Sequence, residues 1–374
     1  MQEVTAMSRQ KRASKTQYPV TWLVLGLVLL LLIAGLAAWR GGFLRKDPAL
    51  ESLRGQAERY TFESGAQQTY SGLDGGVAAA SSTGLQILDG EGYTVLRSVV
   101  SVTTPALTAS DKSAAVYDVG GTILRVGNLQ GELTVLDTTD AILSANMNRA
   151  GWMAVVTEET GYKGRVTVYN AEMEPVYAWH SGSQYVLSAR VSPDCRTMVA
   201  LTLEESGSAV HIFSLSSETE YAAFSAENTL LFDCGFLSND RLCAVYDGGL
   251  MFFNTAGTDA GGYSFGGAYL AGYSLEGDGF ATVLLSQSGN AGTVVTVGYG
   301  GNVSGQLTPE DPPQGISVWG DRVLIRYAES AALYSQSLEE QTRLEESQGA
   351  RDAVLAGKKR GYLLFSGYCE ALEF

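Results

Sequence analysis

The chain has 374 residues, 45% of them hydrophobic and 17% charged, with 44 Gly against 8 Pro. Apolar content this high excludes a disordered chain, and glycines without a three-residue period exclude a collagen-like one. The net charge is −15; residues 1–40 carry five basic groups and one acidic, or +4, which leaves −19 on residues 41–374. A surface that acidic repels phosphate backbones, so no nucleic-acid partner is expected.

In chain order, residues 1–18 form a basic tail with Arg9, Lys11, Arg12 and Lys15. No charge occurs from Thr16 to Trp39, and Val20 to Ala38 is almost wholly Leu, Val, Ile, Ala and Gly. At about 1.5 Å per residue that run spans about 30 Å of hydrocarbon. A transmembrane helix is therefore predicted over residues 19–39, with Trp22 and Trp39 at the two interfaces and Arg40 just beyond. The positive-inside rule places the tail in the cytoplasm and the rest outside, although Arg40, Arg45 and Lys46 weaken the contrast. Small residues at Ala34-Gly35-Leu36-Ala37-Ala38 would also suit a signal peptidase. The apolar run is longer than a signal peptide needs, so a single-pass anchor is favoured over a cleaved signal. Residues 40–55 are a linker, in which Asp47-Pro48 starts a short helix that Gly55 ends.

From residue 56 to 374 the helical period disappears. Short runs of Val, Leu, Ala, Tyr and Phe are cut every five to eight residues by Gly, Asn, Asp or Ser, the pattern of an all-β chain. Internal repetition decides which all-β fold. Met153-Ala154-Val155-Val156-Thr157-Glu158-Glu159-Thr160-Gly161 is echoed by Met198 to Gly207, and each is followed by a strand, Arg165–Tyr169 or Ala209–Phe213. Ala115-Val116-Tyr117-Asp118 before Gly120-Gly121 recurs as Ala244-Val245-Tyr246-Asp247 before Gly248-Gly249. Units then begin near residues 66, 105, 141, 184, 229, 268, 312 and 350. Their spacing matches a four-stranded propeller blade of about 40–45 residues. The last unit has three strands, and Arg59-Tyr60-Thr61-Phe62-Glu63 is available as the fourth, which would close the ring without free edges. The expected fold is a β-propeller of seven or eight blades, eight favoured, behind a transmembrane helix.

Ser192-Pro193-Asp194-Cys195-Arg196-Thr197-Met198-Val199-Ala200 resembles the Ser-Pro-Asp-Gly turn and following strand of WD40-like and TolB-like propellers, with Cys195 in place of the Gly. The layout as a whole resembles the uncharacterised membrane-anchored propeller proteins of Gram-positive bacteria. That resemblance implies a location at the membrane and an interaction role, and no chemistry.

The usual catalytic constellations are missing. Gly262-Tyr263-Ser264-Phe265-Gly266 has the form of a serine-hydrolase elbow, but that elbow needs a strand-to-helix turn and a later His. Here it falls in a predicted outer strand, and both histidines, His180 and His211, come earlier. No metal-ligand spacing, calcium loop, Walker motif or dinucleotide fingerprint occurs, so no metal or cofactor is expected. His211 alternates with Val210 and Ile212 on a predicted inner strand and reads as structural. Trp179, His180 and Tyr185 are the candidate binding residues, placed by the pattern in an inter-blade connection, where propellers present loops to partners. Cys234 and Cys243 flank one turn, which leaves a disulfide open to them, although two buried free thiols are the preferred reading.

The sequence thus predicts a non-enzymatic extracytoplasmic scaffold or sensor. It is held to lipid by one helix and binds an envelope or membrane protein, or an envelope polymer. The alternative is a carbohydrate-active enzyme using Asp and Glu near the central channel. It requires carboxylates converging in a concave pocket, one of them with a raised pKa.

Overall fold

A computed structural model describes residues 60–63, 65–217, 219–286, 292–345 and 347–374. The expected tail, span and linker, with Trp22, Trp39 and Arg40, lie outside the described residues. Among the described residues no helix is long and apolar enough to cross a membrane.

Eight four-stranded antiparallel sheets follow one another along the chain. Their first strands begin at Thr69, Pro105, Ile142, Tyr185, Leu231, Tyr269, Gly315 and Asp352, each within three residues of the expected start, so the propeller has eight blades. Blade 8 takes three strands from residues 352–373, and its outermost strand is Tyr60–Thr61 from the other end of the domain. Tyr60 stands opposite Cys369 and Thr61 opposite Tyr368, and Phe62 N donates to Gly367 O at 2.9 Å.

Strand composition follows from having a blade on either side. The second strands Gly76–Ser81 and Met153–Thr157 are buried at every position, and both read as unbroken small and β-branched runs. Outermost strands such as Pro175–Ser181 alternate between half-buried and exposed positions because they lie at the solvent edge of the sheet. The core is accordingly divided into eight clusters, one per blade interface. In blade 4, Val199, Leu201, Val210 and Ile212 pack on Leu231, Leu242, Ala244 and Phe253 of blade 5. The alternate residues Met198, Ala200 and Phe213 pack on Ala154, Val156, Val166 and Val168 of blade 3.

One turn recurs between third and fourth strands. Gly92, Gly131, Met173, Gly257, Gly301 and Leu338 donate their N–H to the carbonyl three residues earlier, and all six adopt positive φ. The residue that starts the turn is Asp89, Asn128, Asn170 or Asn254 in four blades, and its side-chain oxygen accepts a following backbone N–H. Cys195 has φ 60°, the left-handed region that Gly occupies more cheaply.

Blades 8 and 1 approach closely at Gly72, where a Cβ would lie 1.8 Å from Leu355 O. Gly72→Ala is therefore expected to cost about 1–3 kcal/mol by forcing the closing interface apart. The check is a thermal melt beside Gly182→Ala, whose Cβ would meet nothing within 4 Å and which should melt like the parent.

Candidate functional site

The first strand of every blade lines the central channel. Antiparallel order then puts the turn after each first strand on one face of the ring. The second-to-third hairpins and the links between blades lie on the other. The two faces carry different chemistry.

At the first-turn face the channel opens into a cavity of about 400 Å³ whose wall includes Asp111, Arg149, Arg190, Tyr273, Glu276 and Trp319. Arg190 Nη2 donates to both oxygens of Asp233, at 3.2 and 3.0 Å, and Nη1 lies 3.8 Å from Glu276 Oε1. Tyr273 donates its hydroxyl to Asp233 Oδ2 at 3.0 Å, and Cys234 N donates to Asp233 Oδ1 at 2.8 Å. Burial opposes the Arg190 charge, but Asp233 and Glu276 outweigh it and hold the guanidinium pKa above its ordinary value. Burial, with Asp233 beside it, likewise raises the Tyr273 phenol. Arg149 Nη2 donates to Glu276 O at 2.7 Å, and its guanidinium carbon lies 5.1 Å over the Trp319 ring. Burial raises the Asp111 carboxyl; Arg149 opposes the shift, and Asp74 and Glu276 add to it. Asp111 Oδ1 is buried without a hydrogen-bond partner. Asp111 and Glu276 thus both line the channel cavity, with the Asp111 carboxyl raised.

Motif reading missed these residues because the six on the wall come from five blades, 2, 3, 4, 6 and 7, and form no local pattern. The repeat phase contains the signal. Asp111, Arg149 and Glu276 each stand two residues past the end of a first strand.

The link face is apolar where its blades are irregular. First strands of blades 3 to 6 each carry a bulge, at Ile142/Ser144, Val186/Ser188, Leu231/Asp233 and Leu270/Gly272. Around them Tyr185, Leu187, Leu203, Leu230 and Tyr269 are exposed, Leu230 at 65% and Tyr269 at 72%, while exposed Phe232 sets its ring 6.0 Å from that of the channel residue Tyr273. Exposed carboxylates on the same face, Glu158, Glu205, Glu227 and Asp247, edge this crescent.

Trp179 and His180 do not lie in an inter-blade connection; they belong to the outermost strand of blade 3, Pro175–Ser181. Strand alternation separates them. Trp179 turns inward onto Phe213, ring centroids 4.8 Å apart, and His211, at 5.8 Å, and is packed against the blade 3–4 core. His180 turns outward, with Nδ1 2.5 Å from Glu159 Oε2 and its ring 5.2 Å from Tyr162. Tyr185 opens the first strand of blade 4, where Lys163 Nζ donates to its hydroxyl at 3.1 Å and sits 4.6 Å over its ring. His180 and Tyr185 therefore meet one hairpin, that of Glu159 and Lys163, whereas Trp179 is a packing residue.

His211 is on the third strand of blade 4, which has a strand on either side. It is buried, with Nδ1 2.8 Å from Glu220 Oε2 and Nε2 3.0 Å from Thr202 Oγ1. Cys234 pairs with Ala244 and Gly235 with Cys243, so the two thiols point to opposite faces of the sheet and enter different core clusters. That register rules out the disulfide, and both are free, buried thiols whose pKa burial raises. Ser264 ends the outer strand of blade 5 and is followed by a turn, not a helix. Among the described residues no group of His, Cys, Asp and Glu is placed to hold a metal ion.

A family model described as a family of unknown function (DUF5711) matches residues 54–366. The chain belongs to that family. No relative of this DUF5711 propeller was found among curated proteins. Among solved structures it resembles the C-terminal WD40 domain of Sif2, with 13% identity and TM-score 0.60 over 84% of this chain and 97% of that one. It resembles BamB from Moraxella catarrhalis at 14% identity and TM-score 0.54, over 85% of this chain and 99% of that one. The dihydro-heme d1 dehydrogenase NirN, in complex with DHE, is similar at 12% identity and TM-score 0.52, over 76% of this chain and 67% of that one. At such identities the likeness is one of fold alone.

Asp352, also on the cavity wall, has its carboxyl raised by burial, against the opposing effects of the Ala353 N–H and Arg326. A carboxyl raised on folding leaves stability whole below its unfolded pKa of about 3.9 and erodes it as pH rises through the folded value. Asp352→Asn keeps an acceptor for Ala353 N, now 2.8 Å from Oδ1. It is expected to raise the melting temperature at pH 7 and to leave it unchanged at pH 3.5. Equal melting of the two proteins at pH 7 would contradict this.

Proposed function

We propose that this propeller is a membrane-anchored, extracytoplasmic interaction module of the cell envelope, binding a protein partner on its link face. The observation that carries the reading is the apolar crescent over contiguous blades 4 to 6. Contiguous exposed apolar surface edged by polar groups is the mark of an interaction site. The bordering carboxylates specify the partner's chemistry: apolar anchors flanked by Lys or Arg. The likeness of the fold to WD40 and BamB propellers supports an interaction role. The basic tail and uncharged run at residues 1–39 support an anchor that leaves the propeller outside.

A second reading, a carbohydrate-active enzyme, is favoured by Asp111 and Glu276 in the channel cavity. It predicts turnover of a glycan that Glu276→Gln abolishes.

The first reading is tested by crosslinking tagged full-length protein in intact cells and identifying what co-purifies. Replacing Leu230 and Tyr269 together by Asp should abolish capture of the partner without changing the melting temperature, since both side chains are exposed. Undiminished capture by that variant would overturn the assignment of the face.

A further inference from the structure

We propose that the propeller meets the membrane with its first-turn face, blade 8 nearest the anchor. The apolar crescent then points away from the bilayer, and what covers it is the water-exposed part of a protein and not lipid. The inference rests on the anchor reading above and adds a direction to it.

Three observations give that direction. First, the described chain enters the ring at a fixed place and heading. The third strand of blade 8, Tyr368–Glu373, starts at the link face, where Phe62 N donates to Gly367 O, and ends at the first-turn face, where Phe374 N donates to Lys359 O. Tyr60–Thr61 is antiparallel to it, with Thr61 opposite Tyr368 and Tyr60 opposite Cys369, so this strand is entered from the first-turn side. Second, reversing that heading is costly for the linker. Residues 40–59 number 20 (59 − 39), and a coil of that length spans about 25 Å. The six-residue third strand is about 20 Å tall. With the link face on the bilayer, most of the linker would be used in climbing back along the edge of blade 8. Third, the two faces differ in charge. Three of the four lysines among the described residues, Lys112, Lys358 and Lys359, are exposed in the first turns of blades 2 and 8, on either side of blade 1. Lys358 Nζ lies 3.5 Å from Asp321 Oδ1, and Asp74 and Glu91 are exposed in turns of blade 1 on the same face, so this sector carries both signs. The crescent is edged by Glu158, Glu205, Glu227 and Asp247, which anionic headgroups repel. A protein that sets Lys or Arg beside apolar anchors suits that edge, and a bilayer does not.

The test is energy transfer in phosphatidylcholine–phosphatidylglycerol liposomes that carry the full-length chain and a rhodamine-labelled lipid. Cys195→Gly removes the one cysteine of four that is not buried. Dye is then attached to single cysteines at exposed turn positions, Asn239→Cys and Lys359→Cys on the first-turn face, Asp247→Cys and Ser366→Cys on the link face. Transfer from each first-turn label should exceed that from the link-face label of the same blade at least twofold. The pairs in blades 5 and 8 are independent, so either decides where a variant of the other fails to fold. Carbonate washing separates the two readings. A chain released from the liposomes overturns the anchor and this proposal together. A chain retained, with equal transfer from both faces, overturns the proposal alone. Stronger transfer from the link-face labels does so too, and assigns the crescent to lipid.

Discussion

Everything in this molecule depends on the ring being closed. Each blade is a sheet with apolar residues on both faces, and neither face is covered until a neighbour arrives. The eight clusters of the core are eight interfaces, so no blade owns a core that would hold it folded alone. Tyr60–Thr61 completes blade 8 with only two residues of ladder, and further contacts reinforce the seam. Tyr70 donates to Phe365 O and Tyr362 to Gly75 O, both at 3.0 Å, and Arg97 pairs with Glu63. Burial pushes the Tyr70 phenol up to about 12 against the opposing charge of Arg351, so this link stays protonated throughout the physiological range. The seam joins residues nearly 300 positions apart in sequence, and that long loop closure is repaid only by the last interface.

The fold was legible because this constraint writes itself into the chain repeatedly. A second strand buried on both faces must be a run of small and β-branched residues. It must also be followed by a hairpin, and the pair Met153–Gly161 and Met198–Gly207 shows the same solution twice. The turn at Asp89, Asn128, Asn170 and Asn254 was equally visible in principle, as Asx residues spaced by one or two blades. It was harder to see because its left-handed position is filled by Gly in some blades and by Met173 or Leu338 in others. Conformation repeats more faithfully there than residue type.

The sites were less legible, for a reason that Trp179 illustrates. Its sequence neighbours, His180 to Tyr185, are polar and contain Gly182, so the strand reads as already finished. The ladder in fact runs on through Ser181 opposite Gly164, and Trp179 and Ser181 take its last two inward positions. An aromatic at a strand end can be a loop anchor or a core residue, and only the register distinguishes them. The channel residues pose the opposite difficulty: each is unremarkable in its own blade, and function arises from summing one position over several blades. A search in phase with the repeat separates Asp111, Arg149 and Glu276 from other surface charges. A search for local motifs does not.

One backbone device produces both faces. In blade 4 the buried positions of the first strand are Val186, Ala189 and Val191, with a spacing of three before a spacing of two. The bulge between Val186 and Ser188 supplies the extra residue, and that residue is Leu187, exposed on the link face. Beyond the bulge the alternation resumes in the shifted phase, which turns Arg190 to the channel between buried Ala189 and Val191. Blade 5 repeats the arrangement: Leu231 and Cys234 are buried three apart, Phe232 is the exposed extra residue, and Asp233 comes within reach of Arg190. Without the bulges, a strand with this sequence would have to put Arg190 into a blade interface or give up Val186 to the channel. In blades 4 and 5 the exposed Leu187 and Phe232 and the pair Arg190 and Asp233 are therefore consequences of one insertion per strand. Any change in one bulge should be felt at both faces.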